Sequence, residues 1–168
     1  DTDCDIQIQQ KLVDAENESR KISKRVKRGH QKSIKKGHVL GSRMWGYKKI
    51  NCKLVIDEET APMVRKIFEL YATNQYSMKE IEEIIYQDGY RNTRGNRLSH
   101  TTMSNIITNP KYKGYFVGGK VKVVDIFNKR QKFLPEEKWV MYKDESGETI
   151  PPLVSEELWQ KANEVFQR

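Results

Sequence analysis

The chain has only two cysteines, Cys4 and Cys52, and no Cys-x-x-Cys pair. Neither a zinc ribbon nor a disulfide framework is indicated, and the two residues read as the reduced thiols of a cytosolic protein. No apolar run approaches the roughly 20 residues that span a bilayer. None has the flanks of a signal peptide, so no membrane partner is expected. The three histidines, His30, His38 and His100, lie in basic or loop contexts. The acid pairs Glu82-Glu83, Glu136-Glu137 and Glu156-Glu157 read as solvated faces, with no spacing that implies acid–base work. No nucleophile arrangement, metal-ligand cluster or Gly-rich phosphate cradle stands out. The expectation is therefore no catalytic residue, no metal and no cofactor in this chain. It also begins without Met on an amphipathic pattern, as a piece cut from a longer protein would.

One further absence points somewhere. Residues 19–56 contain no Asp or Glu but hold 13 Lys and Arg. The 168 residues carry a formal charge of +8, and it is unevenly spread. Residues 1–18 sum to −5, and residues 91–132 to +9, with Asp125 their only acid. The flanks 57–90 and 133–168 sum to −5 and −4. Two concentrated basic patches are the electrostatic footprint of a nucleic-acid binder; the plain alternative is solvated surface. An apolar content of 36% and a mean hydropathy of −0.82 indicate one domain plus a poorly buried extension.

Residues 5–28 read as one helix. Ile8, Leu12, Ala15, Ser19, Ile22 and Val26 recur at alternating steps of four and three. That narrow seam fits pairing with a single partner helix, either a second copy or the rest of its own domain; a plain surface helix is the alternative. The acidic start and basic end suit the helix dipole, and Gly29 is placed to stop it. Residues 30–43 lack a core pattern. The expected polyanion contacts here are Arg20, Lys24, Arg25, Lys27 and Arg28 on the helix, with Lys32, Lys35, Lys36 and Arg43 on an extended linker. Such a linker can follow a phosphate backbone or enter a minor groove.

A compact domain begins near Met44. Residues 44–57 have the alternation of a short hairpin turning at Asn51. A helix follows, with Ala61, Val64, Ile67, Phe68 and Tyr71 inward and Pro62 in its first turn. Ser77 and Glu80 form a capping box for the next helix, with Met78, Ile81, Ile84 and Ile85 inward and Gly89 at its end. The basic loop Tyr90–Leu98 places Arg91, Arg94 and Arg97 around a turn at Gly95-Asn96. Ser99 caps a short helix anchored by Met103, Ile106 and Ile107. Its other face, with Thr102 beside the cap, offers Ser99, His100, Thr101, Thr102, Ser104 and Asn105. This is the logic of a helix-turn-helix, whose second helix reads base edges in the major groove. The loop exceeds the roughly three- or four-residue turn of that motif, and an ordinary capped helix in a small core is the alternative. Strands are expected near 114–126 and 138–143, joined by a basic loop with Asn128, Lys129, Arg130 and Lys132. Lys129 and Arg130 there can grip phosphates, or Lys can simply protect a solvated edge. An extended segment, 150–154, precedes a last helix through Trp159, Ala162, Val165 and Phe166.

Several of these segments, in order, resemble one family. Glu18–Gly29 looks like the end of the long helix that closes the catalytic domain of serine recombinases. Gly46-Tyr47 resembles the Gly-Tyr that opens the "recombinase" domain of the large serine recombinases, although Met44-Trp45 stands where that family often has Pro. Val64–Tyr71 is similar to that domain's first helix. Asn109-Pro110-Lys111-Tyr112-Lys113-Gly114-Tyr115 resembles its Asn-x-x-Tyr-x-Gly signature, and Pro151–Trp159 its closing segment. The resemblance implies a parent enzyme that cuts and rejoins DNA for a phage or conjugative transposon. Its serine nucleophile would lie in a resolvase-type domain before residue 1, and a zinc ribbon would follow residue 168.

The expected fold is α+β and mostly helical: a long N-terminal helix (1–29), a basic linker (30–43), and a compact domain (44–168) with a helix-turn-helix-like core and a small antiparallel sheet. The expected function is recognition of an attachment-site half-site by a site-specific recombinase, in a cytoplasmic, bacterial or phage-encoded setting. Double-stranded DNA is the expected partner. So is a second copy through the 8–26 seam, with a tetramer in the parent synaptic complex. The alternatives are a protein–protein module without DNA specificity and, without a visible aromatic platform, RNA binding.

Overall fold

A computed structural model of the chain describes residues 2–39, 41, 44–125, 127, 128 and 130–167, with side chains from residue 6 onward. Arg43 and Lys129, both expected phosphate contacts, lie outside the described residues. So does Ile126, expected at the end of a strand. The chain divides into two units, residues 1–38 with 118–140 and residues 39–117 with 141–168.

In the first unit, helix α1 spans Thr2–Lys35. The expectation that Gly29 ends it is corrected. Gly in a helix interior costs only about 1 kcal/mol relative to Ala. The good helix formers Gln31, Lys32 and Lys35 carry the helix on, so Lys32 and Lys35 are helical and not part of an extended linker. The stop is Gly37, at φ 70°. His38 N donates to the Ser33 carbonyl and Gly37 N to the Ile34 carbonyl, both at 3.0 Å. This pair of bonds is the left-handed Schellman ending that glycine favours. The seam residues Ile8, Leu12, Ile22 and Val26 are 49–62% exposed.

The same unit contains strands β4 (Val121–Asp125) and β5 (Arg130–Phe133), paired antiparallel. The expected single strand over 114–126 is interrupted at Gly119, at φ 69°, and Lys120. Part of the expected basic loop is β5 itself. Leu134 N donates to the Lys120 carbonyl at 2.8 Å, and Trp139 Nε1 to the Leu134 carbonyl at 2.7 Å, closing the base of this hairpin.

The second unit is the helical core. Strands β1 (Tyr47–Ile50) and β2 (Lys53–Ile56) form the expected hairpin, turning through Asn51 and Cys52 at φ 48° and 63°. Helix α2 (Ala61–Ala72) buries Ala61, Met63, Val64, Ile67 and Phe68. Tyr71 is only half-buried, and Met63 takes the fuller core position. Asp57 precedes this helix and is buried. Lys48 Nζ lies 2.8 Å from one of its carboxylate oxygens, and Thr60 Oγ1 donates to the other at 2.9 Å. The Lys48 ammonium, with Thr60, holds the Asp57 carboxyl below the usual carboxylate range. Helices α3 (Met78–Gln87), α4 (His100–Ile107) and α5 (Glu156–Gln167) pack around α2, burying Ile81, Ile85, Met103, Ile107 and Ala162. Strands β3 (Tyr115–Gly118) and β6 (Val140–Lys143) pair with each other. The fold is thus α+β and mostly helical, with a long N-terminal helix and small antiparallel sheets.

Candidate nucleic-acid interface

Helix α3 begins at a complete capping box. Ser77 N donates to the Glu80 carboxylate at 2.7 Å, and Glu80 N donates to Ser77 Oγ at 3.3 Å. Helix α4 begins where Thr102 N donates to Ser99 Oγ at 3.2 Å. Its underside, Met103, Ile106 and Ile107, is buried. That anchorage leaves His100, Thr101 and Asn105 exposed on the outside, with Ser104 half-buried among them. Ser104 Oγ lies 3.4 Å from His100 Nδ1. The Thr102 hydroxyl is 2.9 Å from Ser99 Oγ, so both hydroxyls are engaged at the cap. The face that can meet a ligand is therefore His100, Thr101, Ser104 and Asn105.

The loop between α3 and α4 separates the three arginines. Arg91 donates to the carbonyls of Tyr86 and Tyr90, and its guanidinium carbon sits 3.4 Å from the Tyr86 ring centroid. Arg97 pairs with Glu83 and also lies over Tyr86, at 4.7 Å. Arg94 is exposed, and among the described residues its guanidinium has no partner. Asn92, missed in the sequence, shapes the loop. Its Oδ1 accepts from Arg94 N and Asn96 N at 2.9 and 3.0 Å, and its Nδ2 donates to the Arg97 carbonyl at 3.0 Å. An Asn preceding a Gly-containing turn was the available signal. Arg91→Ala is expected to lower stability by about 1–3 kcal/mol, from the lost hydrogen bonds and cation–π contact. Arg94→Ala should stay within about 0.5 kcal/mol. Urea unfolding midpoints of the two variants check this.

On α1, Arg20, Lys24, Arg25, Lys27, Arg28, Lys32 and Lys35 are all exposed, as is Lys36 just beyond it. Arg20 makes a weak pair with Glu16 at 3.8 Å. Lys21, not singled out from the sequence, joins Lys24, Arg25, Arg28 and Lys32 along one face. Arg130 opens β5 and is exposed. Among the described residues no cluster of three or more His, Cys, Asp or Glu could hold a metal, and no helix is long and apolar enough to cross a membrane.

Four of the segments that carried the family resemblance meet in the core of the second unit. Tyr47 stacks on Tyr112, with ring centroids 5.7 Å apart, and Phe68 meets Tyr112 edge-on at 5.7 Å. Tyr112 Oη donates to the Trp45 carbonyl at 2.8 Å, and Tyr47 Oη to the Pro151 carbonyl at 2.7 Å. The Tyr112 carbonyl accepts from Leu153 N and Val154 N at 2.9 and 3.1 Å. Burial pushes both phenols above the ordinary tyrosine range. Tyr47, Phe68 and Tyr112 are all buried and tie these segments together. Trp159 Nε1 donates to the Asn109 carbonyl at 3.2 Å and Asn163 Nδ2 to that of Ile107 at 2.8 Å, tying α5 to the end of α4.

A capped helix-turn-helix-like pair on a small α+β core, preceded in the chain by a long basic helix, defines the class: a domain of the serine recombinases. The sequence profile of the family described as Recombinase matches residues 58–168, and the chain belongs to that family. A crystal structure of an LSR–DNA complex superposes with a TM-score of 0.60 at 25% identity, covering 86% of this chain and 38% of that one. A structure from work on the sequence requirements of the Listeria innocua prophage attP site also gives 0.60 at 25% identity, covering 85% of this chain and 51% of that one. The chain thus spans about half or less of either neighbour. No curated protein matches.

Proposed function

We propose that this chain recognises one half of a recombination site in duplex DNA, as the DNA-binding portion of a site-specific serine recombinase whose nucleophile lies outside it. The observation that carries this is the outer face of α4. Its apolar underside fixes it to the core, while the outer face presents Thr101 and Asn105 beside the His100–Ser104 pair, with Arg94, whose guanidinium has no partner among the described residues, on the preceding loop. Short polar side chains on a rigid helix suit base edges in the major groove, and Asn is the residue type that pairs bidentately with adenine. Arg94 supplies a phosphate contact that sets register without reading sequence. The cations of α1 and Lys36 add further phosphate neutralisation. The exposed 8–26 seam is the surface through which a second copy would pair near the crossover point. The resemblance to an LSR–DNA complex supports this reading, as does the attP work on the second neighbour.

Binding of the 168-residue chain to a cognate attachment-site duplex, a random duplex and an RNA tests it. Asn105→Ala should weaken cognate binding by about 1–3 kcal/mol and relax discrimination at one base pair. Arg94→Ala should weaken all duplexes alike and reduce the log–log salt slope by about 0.9. Equal affinity for all three nucleic acids, unaltered by Asn105→Ala, would refute site recognition.

A further inference from the structure

The β4–β5 hairpin carries a charge arrangement that its own stability does not explain. Lys122 and Lys132 are directly opposite one another in the antiparallel register and are both exposed. Directly opposed residues share a face, with Cβ atoms roughly 5 Å apart, and like charges so placed repel. Arg130 joins them, because alternate residues of one strand share a face. The register shifts between Val123 and Asp125, so that β4 carries one extra residue and Asp125 comes to stand opposite Arg130.

Asp125 does not neutralise the group. Its carboxylate is turned into the loop, accepting from Phe127 N at 2.9 Å, Asn128 N at 3.3 Å and Asn128 Nδ2 at 2.6 Å. Among the described residues no acid pairs with Lys122, Arg130 or Lys132. Lys120, by contrast, is already placed, its ammonium 4.5 Å from the Trp139 ring centroid. Lysines that merely guard a sheet edge need no cross-strand partner of like charge. A line of phosphates is the ligand that turns this repulsion into attraction, since one strand of duplex presents a negative charge about every 3.4 Å along its axis.

We infer that Lys122, Lys132 and Arg130 form a second DNA-backbone contact, a phosphate grip on one face of the β4–β5 hairpin, separate from the α4 surface. The inference rests on the DNA-binding reading above and adds a contact that carries no sequence information.

The test uses the full 168-residue chain and fluorescence anisotropy with a labelled random-sequence duplex across a salt series. The double variant Lys122→Gln/Lys132→Gln is expected to lower the log–log slope by about 1.8, two contacts at about 0.9 each. Lys132→Glu supplies the control for folding. It creates an opposite-charge pair with Lys122, so amide-exchange protection of β4 and β5 should rise while the salt slope falls. A better-protected hairpin with the wild-type slope would overturn the grip. If Arg94→Ala lowers the slope and neither hairpin variant does, the hairpin proposal fails alone. If the wild-type chain binds no duplex, the DNA-binding reading fails with it.

Discussion

Tyr112→Ala is expected to cost about 3–5 kcal/mol, the range for truncating a buried large aromatic. Whole domains are stable by only about 5–15 kcal/mol, so this one change should remove a large fraction of the stability. The ring is 2% exposed and lies between Tyr47 and Phe68. Tyr112→Phe keeps the packing and loses only the bond to the Trp45 carbonyl, a cost of about 1 kcal/mol. A chemical-denaturation series reads both, and a Tyr112→Ala loss below about 1 kcal/mol would show that the knot does not hold the domain. The two buried phenols add a pH signature. Their folded-state pKa values are raised, so their contribution to stability is complete below the ordinary phenol value, about 10, and is lost as pH rises beyond it. Alkaline unfolding should therefore begin above that point, and earlier in the wild type than in Tyr112→Phe relative to each protein's own neutral stability.

Gly46→Ala should be the second most damaging change, at about 2–5 kcal/mol. Gly46 has φ 80°, in the left-handed region, where a side chain costs roughly 1–2 kcal/mol. A Cβ there would also meet Leu153 Cδ2 at 2.7 Å and Val64 Cγ2 at 3.3 Å. Such overpacking adds typically about 1–3 kcal/mol. The backbone cannot easily move away. Gly46 N donates to Thr60 Oγ1 at 3.0 Å, and the Gly46 carbonyl accepts from Asp57 N at 2.9 Å. Gly95→Ala is the matched comparison. Its φ of 77° is nearly the same, but nothing lies within 4 Å of its Cβ position. It should therefore cost only the conformational part. Equal thermal shifts for the two variants would show that the close approach to Leu153 is relieved at no cost.

Both predictions concern residues that carried the family resemblance, and the structure gives those residues a structural role. Gly-Tyr at 46–47, the Tyr at 112 and the Pro-Pro at 151–152 are far apart in the chain and meet at one knot. Outside α1, the residues proposed to touch DNA are different ones.

The sequence alone determined what depends on near neighbours. The acid-free span and its charge are additive and need no fold. The capping box at Ser77 and Glu80, the cap at Ser99 and the hairpin turn at Asn51 are bonds between residues at most a few positions apart. The apolar faces of α2–α5 follow from periodicity. What the tertiary structure decided depends on contacts that sequence spacing does not encode. Arg91, Arg94 and Arg97 look equivalent in a basic loop, yet only the fold sets Tyr86 and Glu83 beneath two of them and leaves the guanidinium of the third without a partner among the described residues. Gly29 and Gly37 look equally able to end a helix. The end falls where the chain can turn left-handed and return two backbone donors to the helix, and that happens at Gly37. The acid-free basic span is likewise not uniform. Its first part is helix through Lys35, and its last part is the hairpin of a folded domain.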